Sequence, residues 1–323
     1  MPYIDCFNGD ADGICGLTQL RLQNPVDSEL VTGVKRDINL LDRVDASAGD
    51  LVTVLDISLD KNRQGLERVL KAGAEVFYCD HHFAGDMPDH RNFTAVINTA
   101  PDVCTSLLVN KSLKGRFLEW ALVGTFGDNL ERSAIELAKS KSFSAEQMEQ
   151  LKNLGIYLNY NGYGSSLDDL YFDPAQLFKR TSQYVSALDF IQGDRDTFLT
   201  LQNGYLDDMS KADSLDAVFD NQQVAVFQLP NAAWARRVSG VFGNQLANQT
   251  PIRGHAVLTE RSDGDFLVSV RAPLANKKGA DEICRQFATG GGRKAAAGIN
   301  QLPAAEVDKF IAVFSDFYHG STG

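Results

Sequence analysis

The chain has 323 residues, of which 44% are hydrophobic and 23% charged, and a net charge of -11. This length exceeds one ordinary core and fits two domains, and the acidic balance disfavours long duplex nucleic acid as a partner unless a local basic patch exists. No apolar run is long enough to span a bilayer, so no membrane partner is expected.

Met1 to Cys6 shows no basic region followed by an apolar core, so no secretory signal is expected there and the cytoplasm is the expected location. Cys6, Cys15, Cys79, Cys104 and Cys284 are scattered without a CxxC pair, which points to neither a disulfide framework nor a thiolate zinc site.

The first third alternates strand and helix patterns. Tyr3–Phe7 reads as a strand, residues 13–22 as a helix, Glu29–Val34 as a strand. Leu51–Asp56 is a β-branched run typical of a strand buried on both faces. Lys61–Lys71 reads as a helix, and Glu75–Cys79 and Thr94–Asn98 as strands. This order predicts an α/β fold with a mostly parallel sheet and helices on both faces. Residues 106–198 read as a helical connector, with Ser144 and Gln147 spaced as a capping box. A polar, aspartate-rich stretch follows, and then a smaller α/β domain. Its strands are expected at VAVFQ, HAVLTE and FLVSVRA, the last two forming a hairpin around Ser262–Asp265. Its helices are expected near 232–246, 279–287 and 304–317. The expected domains are residues 1–202 and 223–323, joined by a linker at 203–222.

Four acidic clusters lie in the first domain. Asp10 and Asp12 stand in FNGDADG after the first strand, Asp56 ends LVTVLD, Asp80-His81-His82 follows EVFYC, and Asp128 stands in TFGDN. Sites in open α/β sheets form outside the carboxyl ends of the strands, where three of these clusters fall. Each alone is more often a turn or a helix cap. Together they would repel one another unless cations neutralise them. Hard divalent ions prefer such oxygen ligands, and a histidine shifts the choice toward manganese or another transition metal.

FNGDADG, VLD, CDHH and FGDN, in this order, resemble motifs I to IV of the DHH phosphoesterase superfamily. FATGGGRKAAAGI resembles the GGGH-x-x-A-A-G signature of the DHHA1 domain, and LVSVRA the strand before it. The resemblance spans nearly the whole chain. It implies a metal-binding catalytic domain followed by a DHHA1 substrate-binding domain. It also implies two divalent ions, Mn2+ first, with Mg2+ or Co2+ as alternatives. Asp10 and Asp56 would hold one ion; Asp12, Asp56, His81 and Asp128 would hold the other, with Asp56 bridging. Asp80 would orient the histidine pair and His82 would face the scissile phosphate. Asn8 stands where many relatives carry a histidine, as a weaker neutral ligand of the first ion. Arg293 replaces the histidine of GGGH.

Between Arg271 and Lys294 six basic residues face two acids, Asp281 and Glu282, a local reversal of the chain's charge. Gly290, Gly291 and Gly292 let backbone N–H groups approach an anion. Arg271, Arg293 and the glycine run are the expected substrate-binding residues; Lys277 and Lys278 read as solvated. One small basic patch and one metal site suit a short linear nucleotide. The expected reaction is hydrolysis of oligonucleotides or dinucleotides such as pGpG or pApA to nucleoside monophosphates. A cyclic dinucleotide, phosphoadenosine phosphate, or a nucleotide-binding role with weak catalysis are the alternatives. Proteins of this superfamily often form homodimers.

Overall fold

A computed structural model describes residues 2–319; residue 1 and residues 320–323, at the outer ends of the expected domains, lie outside the described residues. The chain divides into two compact units, Met1–Tyr205 and Leu206–Gly323.

The first unit is built on five strands, β1 (Tyr3–Phe7), β2 (Ser28–Val31), β3 (Leu51–Leu55), β4 (Glu75–Asp80) and β5 (Phe93–Ile97). They pair in parallel in the order β2-β1-β3-β4-β5. Strand pleating sends alternate side chains to opposite faces. Ile4, Cys6, Val52, Val54, Val76 and Tyr78 pack with Leu66, Val69 and Leu70 of helix α2 (Arg63–Lys71). Phe7, Leu55 and Cys79 join the other core, with Ile14 and Leu17 of helix α1 (Ala11–Gln23). Burial of each large apolar side chain contributes roughly 1.5–3 kcal/mol, so both faces drive the sheet to form.

The helical part comprises α3 (Thr105–Ser112), α4 (Leu118–Gly127), α5 (Glu131–Ala138), α6 (Ala145–Asn161), α7 (Pro174–Thr181), α8 (Ala187–Gly193) and α9 (Arg195–Asp213). The capping box opens α6. Ser144 Oγ accepts from the Gln147 N–H at 3.1 Å, and Gln147 Oε1 accepts from the Ser144 N–H at 2.9 Å.

Helix α9 continues to Asp213, through the first part of the stretch expected as a linker at 203–222, and the boundary between the two units falls within that stretch. The buried positions of α9 explain why it continues. Met209 and Ala212 are buried, and buried Asp208 accepts from Arg237 Nε at 2.8 Å. Few of its side chains are apolar, so the helical period is weak in the sequence even though an ion pair and a narrow apolar stripe anchor the helix.

The second unit contains β6 (Phe219–Asp220), β7 (Val224–Leu229), α10 (Ala233–Gln249), β8 (Gly254–Glu260), β9 (Phe266–Arg271), α11 (Ala280–Cys284), β10 (Gly290–Gly292), β11 (Ala296–Leu302) and α12 (Val307–His319). Its sheet runs β10-β11-β9-β8-β7-β6. β7 and β8 are parallel and joined by α10, and β8 and β9 form the expected hairpin. The glycine run is an edge strand, and β11 beside it has no β-branched run to announce it in sequence. Among the described residues no helix is long and apolar enough to cross a membrane.

Candidate metal centre

After β1 the chain goes to one side of that strand to make β2 and to the other to make β3. The crevice at the carboxyl ends of β1 and β3 is therefore a topological switch point, where open α/β sheets place ligands. Asp10 and Asp12 follow β1, Asp56 follows β3, and Asp80 ends β4. Asp10 caps α1, its Oδ1 accepting from the N–H groups of Asp12 at 3.0 Å and Gly13 at 3.1 Å. Asp12 is held by the amino end of α3: Thr105 N–H donates to Oδ2 and Ser106 N–H to Oδ1, both at 2.7 Å. A helix amino terminus favours an anion there. Asp56 takes φ 59°, a left-handed conformation uncommon outside glycine, and Thr105 Oγ1 donates to its Oδ1 at 3.2 Å. Asp128 stands at the carboxyl end of α4, where the helix dipole disfavours an anion.

His81 faces three of these carboxylates. Its Nδ1 donates to the Val103 carbonyl at 2.9 Å, which leaves Nε2 pointing inward. Nε2 lies 3.4 Å from Asp56 Oδ1, 3.8 Å from Asp128 Oδ2 and 4.0 Å from Asp12 Oδ2. Donors each about 2.1 Å from one ion stand roughly 3–4 Å apart, so this spacing fits a shared cation. Among the described residues two groups of three donors converge within 4.8 Å: Asp12, His81 and Asp128, and Asp56, His81 and His82. The fixed imidazole tautomer is the usual arrangement of a metal-ligating histidine. His82, 45% exposed, donates from Nδ1 to Asp80 Oδ1 at 2.8 Å. The other Asp80 oxygen is buried without a hydrogen-bond partner.

The electrostatics show what the carboxylates lack. Burial, then the charges of Asp10, Asp12, Asp80 and Asp128, raise the Asp56 pKa well above the carboxylate range. Burial and the charges of Asp12 and Asp10 push Asp128 up to about 7. Burial works to lower the His82 pKa, but the hydrogen bond and charge of Asp80 prevail and raise it. A bound divalent ion would relieve the repulsion, and a donor set of three carboxylates and one imidazole suits Mn2+ or a similar ion.

The other expected ion does not fit its ligands. Asn8 Oδ1 accepts from the Asp10 N–H at 3.2 Å, and its Nδ2 donates to the Lys35 carbonyl at 3.4 Å. The expected ligand oxygen is thus engaged by backbone. Asp10 Oδ2 carries Lys35 Nζ at 2.5 Å, and Asp10 belongs to neither converging group. Burial opposes ionisation of Asp10, but the charge and hydrogen bond of Lys35 hold its pKa below the ordinary value.

Sequence reasoning missed Lys35, Thr105 and Ser106. Lys35 follows β2 at the carboxyl end of the sheet, the rule that located the aspartates, yet a lone lysine reads as solvated. Thr105 and Ser106 act largely through backbone N–H groups, which leave no residue-type signal. A cavity of about 470 Å³ lies elsewhere, lined by Tyr3, Leu51 and Glu75, the first residues of β1, β3 and β4, at the opposite end of the sheet. Converging titratable groups locate the centre better than that hollow does.

In the second unit the ladder puts His255, Arg271, Ala296 and Arg293 in one cross-strand row. Residues opposite one another in a ladder share a face. Arg271 is held by Asn244 Oδ1 at 2.6 Å and Ser269 Oγ at 2.9 Å, tying β9 to α10. Arg293 is exposed at the turn between β10 and β11. Of the three glycines, Gly290 passes so close to α11 that a Cβ there would meet the Cys284 carbonyl oxygen at 1.7 Å, and Gly292 takes φ 140°. Gly291 has open space.

No family model matches the sequence, and no curated protein matches it. Solved structures do. RecJ of Thermus thermophilus, in complex with Mn2+, aligns with TM-score 0.58 and 17% identity, covering 99% of this chain and 52% of that one. The chain therefore spans about half the length of RecJ. The pGpG-specific phosphodiesterase PggH of Vibrio cholerae aligns with TM-score 0.59 and 13% identity over 99% of both chains. CDC45 of Entamoeba histolytica aligns with TM-score 0.51 and 8% identity over 98% of this chain and 95% of that one. The chain shares the fold of RecJ and PggH, the fold that its five ordered motifs led us to expect.

Proposed function

We propose that the protein is a metal-dependent phosphodiesterase that hydrolyses short linear nucleotides, such as pGpG or pApA, to nucleoside monophosphates. The observation that carries this reading is His81 Nε2 set toward Asp56, Asp128 and Asp12, with its Nδ1 anchored on Val103. A divalent ion held by Asp12, Asp56, His81 and Asp128 supplies, when bound, an activated water and positive charge for the phosphoryl oxygens. The remaining work falls to the chain's own groups. Asp80 orients His82 and raises its pKa, which favours the protonated form that can give a proton to the leaving oxygen. Arg293 and the Gly292 N–H, which ladder alternation turns to the free edge of β10, bind a phosphate of the nucleotide. Arg271, which pairs with Ala296 in the same cross-strand row as Arg293, contributes to the same recognition.

The test is a hydrolysis panel with Mn2+: pGpG, pApA, a five-nucleotide RNA, a long single strand, cyclic di-AMP, cyclic di-GMP and phosphoadenosine phosphate. Preferential cleavage of the linear dinucleotides supports the reading. Equal rates on the long strand contradict the size preference. Absence of turnover with bound metal moves the protein to a nucleotide-binding role.

A further inference from the structure

Lys35 is the cation that the sequence did not announce, and its surroundings are built for it. Its Nζ contacts Asp10 Oδ2 at 2.5 Å and Asn159 Oδ1 at 2.8 Å, and lies 5.8 Å from the centre of the Tyr163 ring. Its backbone is fixed too: the Lys35 N–H donates to the Gly162 carbonyl at 2.8 Å. Asn159 belongs to α6, and Gly162 and Tyr163 follow directly after it, so the end of this helix forms a socket for one ammonium group. Charge, amide oxygen and aromatic face all favour a cation at this point.

This socket lies beside the residues that would hold one of two metal ions. Of those residues, Asn8 is neutral and its oxygen is engaged by the Asp10 N–H. Both Asp10 oxygens are engaged as well, Oδ1 by α1 N–H groups and Oδ2 by Lys35. Asp12 also accepts backbone N–H bonds at both oxygens, but unlike Asp10 it carries no ammonium group. Asp12, Asp56 and Asp128 each place an oxygen within 4.0 Å of His81 Nε2, and among the described residues no ammonium group forms an ion pair with any of them.

We infer that Lys35 stands in for one of the two cations, so that the centre binds a single divalent ion. The inference rests on the metal-dependent reading above and refines it. Lys35 supplies one fixed positive charge beside Asp10. The divalent ion supplies the rest through Asp12, Asp56, His81 and Asp128. Lys35 is a positioning residue here: it holds Asp10 and the turn between β1 and α1 in the form that Asp12 needs.

The experiment counts metal rather than turnover. The whole chain, freed of metal with a chelator, is titrated with MnCl2. Bound manganese is measured by elemental analysis after dialysis and examined by electron paramagnetic resonance. Two ions roughly 3.5–4 Å apart give an exchange-coupled spectrum, and a single ion does not. The expected result is one uncoupled ion per wild-type chain. Lys35→Ala, alone or combined with Asn8→Asp, is expected to take up a second ion and show coupling. A thermal melt establishes that each variant is folded. Two coupled ions in the wild type overturn the role of Lys35 and leave the metal-dependent reading standing. So does a single ion in the folded double variant. No bound manganese in the wild type overturns both.

Discussion

His81 Nε2 lies 3.4 Å from Asp56 Oδ1 while the far side of the same ring is tied to the Val103 carbonyl. The ring is held in place by a group that is not itself a ligand, so the carboxylates can gather round a fixed donor. That fixed tautomer is the one a metal-ligating histidine takes, and it supports the proposal of a metal site here.

Stability of the metal-free protein should fall as pH rises from about 4 to about 7. Asp128 has a raised folded pKa, about 7, so its contribution is complete below the unfolded carboxylate value and is lost as pH climbs through 7, and the raised pKa of Asp56 acts in the same direction. The raised pKa of His82 has the same sign but acts only above the unfolded imidazole value, about 6.5. Asp10, with its lowered pKa, acts only at more acid pH. Melting temperatures measured with chelator should therefore drop across this range. Excess Mn2+ should remove the drop, and Asp128→Asn should reduce it without metal, the remainder coming from Asp56. A chelated wild type that gains stability from pH 4 to 7 through these groups would contradict the electrostatics.

Asp56→Asn should stabilise the metal-free chain while weakening metal binding. Asn tolerates the left-handed conformation found at Asp56, and the substitution removes a buried carboxyl whose ionisation burial and its acidic neighbours oppose. The expected gain is about 1 kcal/mol in urea unfolding, the usual scale for relief of strain at a functional site. A loss of stability with metal absent would count against the repulsion argument.

Lys35→Met should destabilise the protein by about 2 kcal/mol, less than the full cost of breaking a buried pair because the lysine side chain is 26% exposed. A double-mutant cycle with Asp10→Asn, read by chemical denaturation, isolates the coupling. Additive effects would show that the two side chains do not depend on one another.

His82→Ala should lower kcat by about 10²–10⁴-fold, the range for loss of a general acid, with Mn2+ affinity nearly unchanged. Asp80→Asn should lower kcat less and shift the basic limb of the pH profile to lower pH, because the bond and charge that raise the His82 pKa are weakened. Arg293→Ala should instead raise KM and leave kcat on a saturating substrate nearly intact. Gly291→Ala should be neutral, since open space surrounds that position, whereas Gly290→Ala should unfold or destabilise the second unit.

Much of this arrangement was legible in the residues. Leu51–Leu55 is buried on both faces, and such strands write themselves as uninterrupted β-branched runs. Asp10, Asp12, Asp56 and Asp80 were findable because they fall where strands end, and strand ends are where open sheets bind ligands. What could not be read depended on partners far away in sequence. Lys35 meets Asn159 across 124 positions, and no local pattern marks such a pair. Asn8 was expected as a ligand from its place in the first motif, but its oxygen accepts from a backbone N–H two residues on, as short polar side chains often do. The second half of α9 was hidden by its charges, and β10 and β11 by glycine and alanine, which carry little strand preference.

The most direct test of the central claim is the rate of pGpG hydrolysis by the whole chain after chelation and after Mn2+ is restored, with Asp128→Ala measured alongside. The account predicts no turnover without metal, recovery with Mn2+ in the wild type, and at least a hundredfold lower rate in the variant, a loss of about 2.7 kcal/mol of transition-state stabilisation. Turnover that survives chelation, or a variant as active as the wild type, would contradict it.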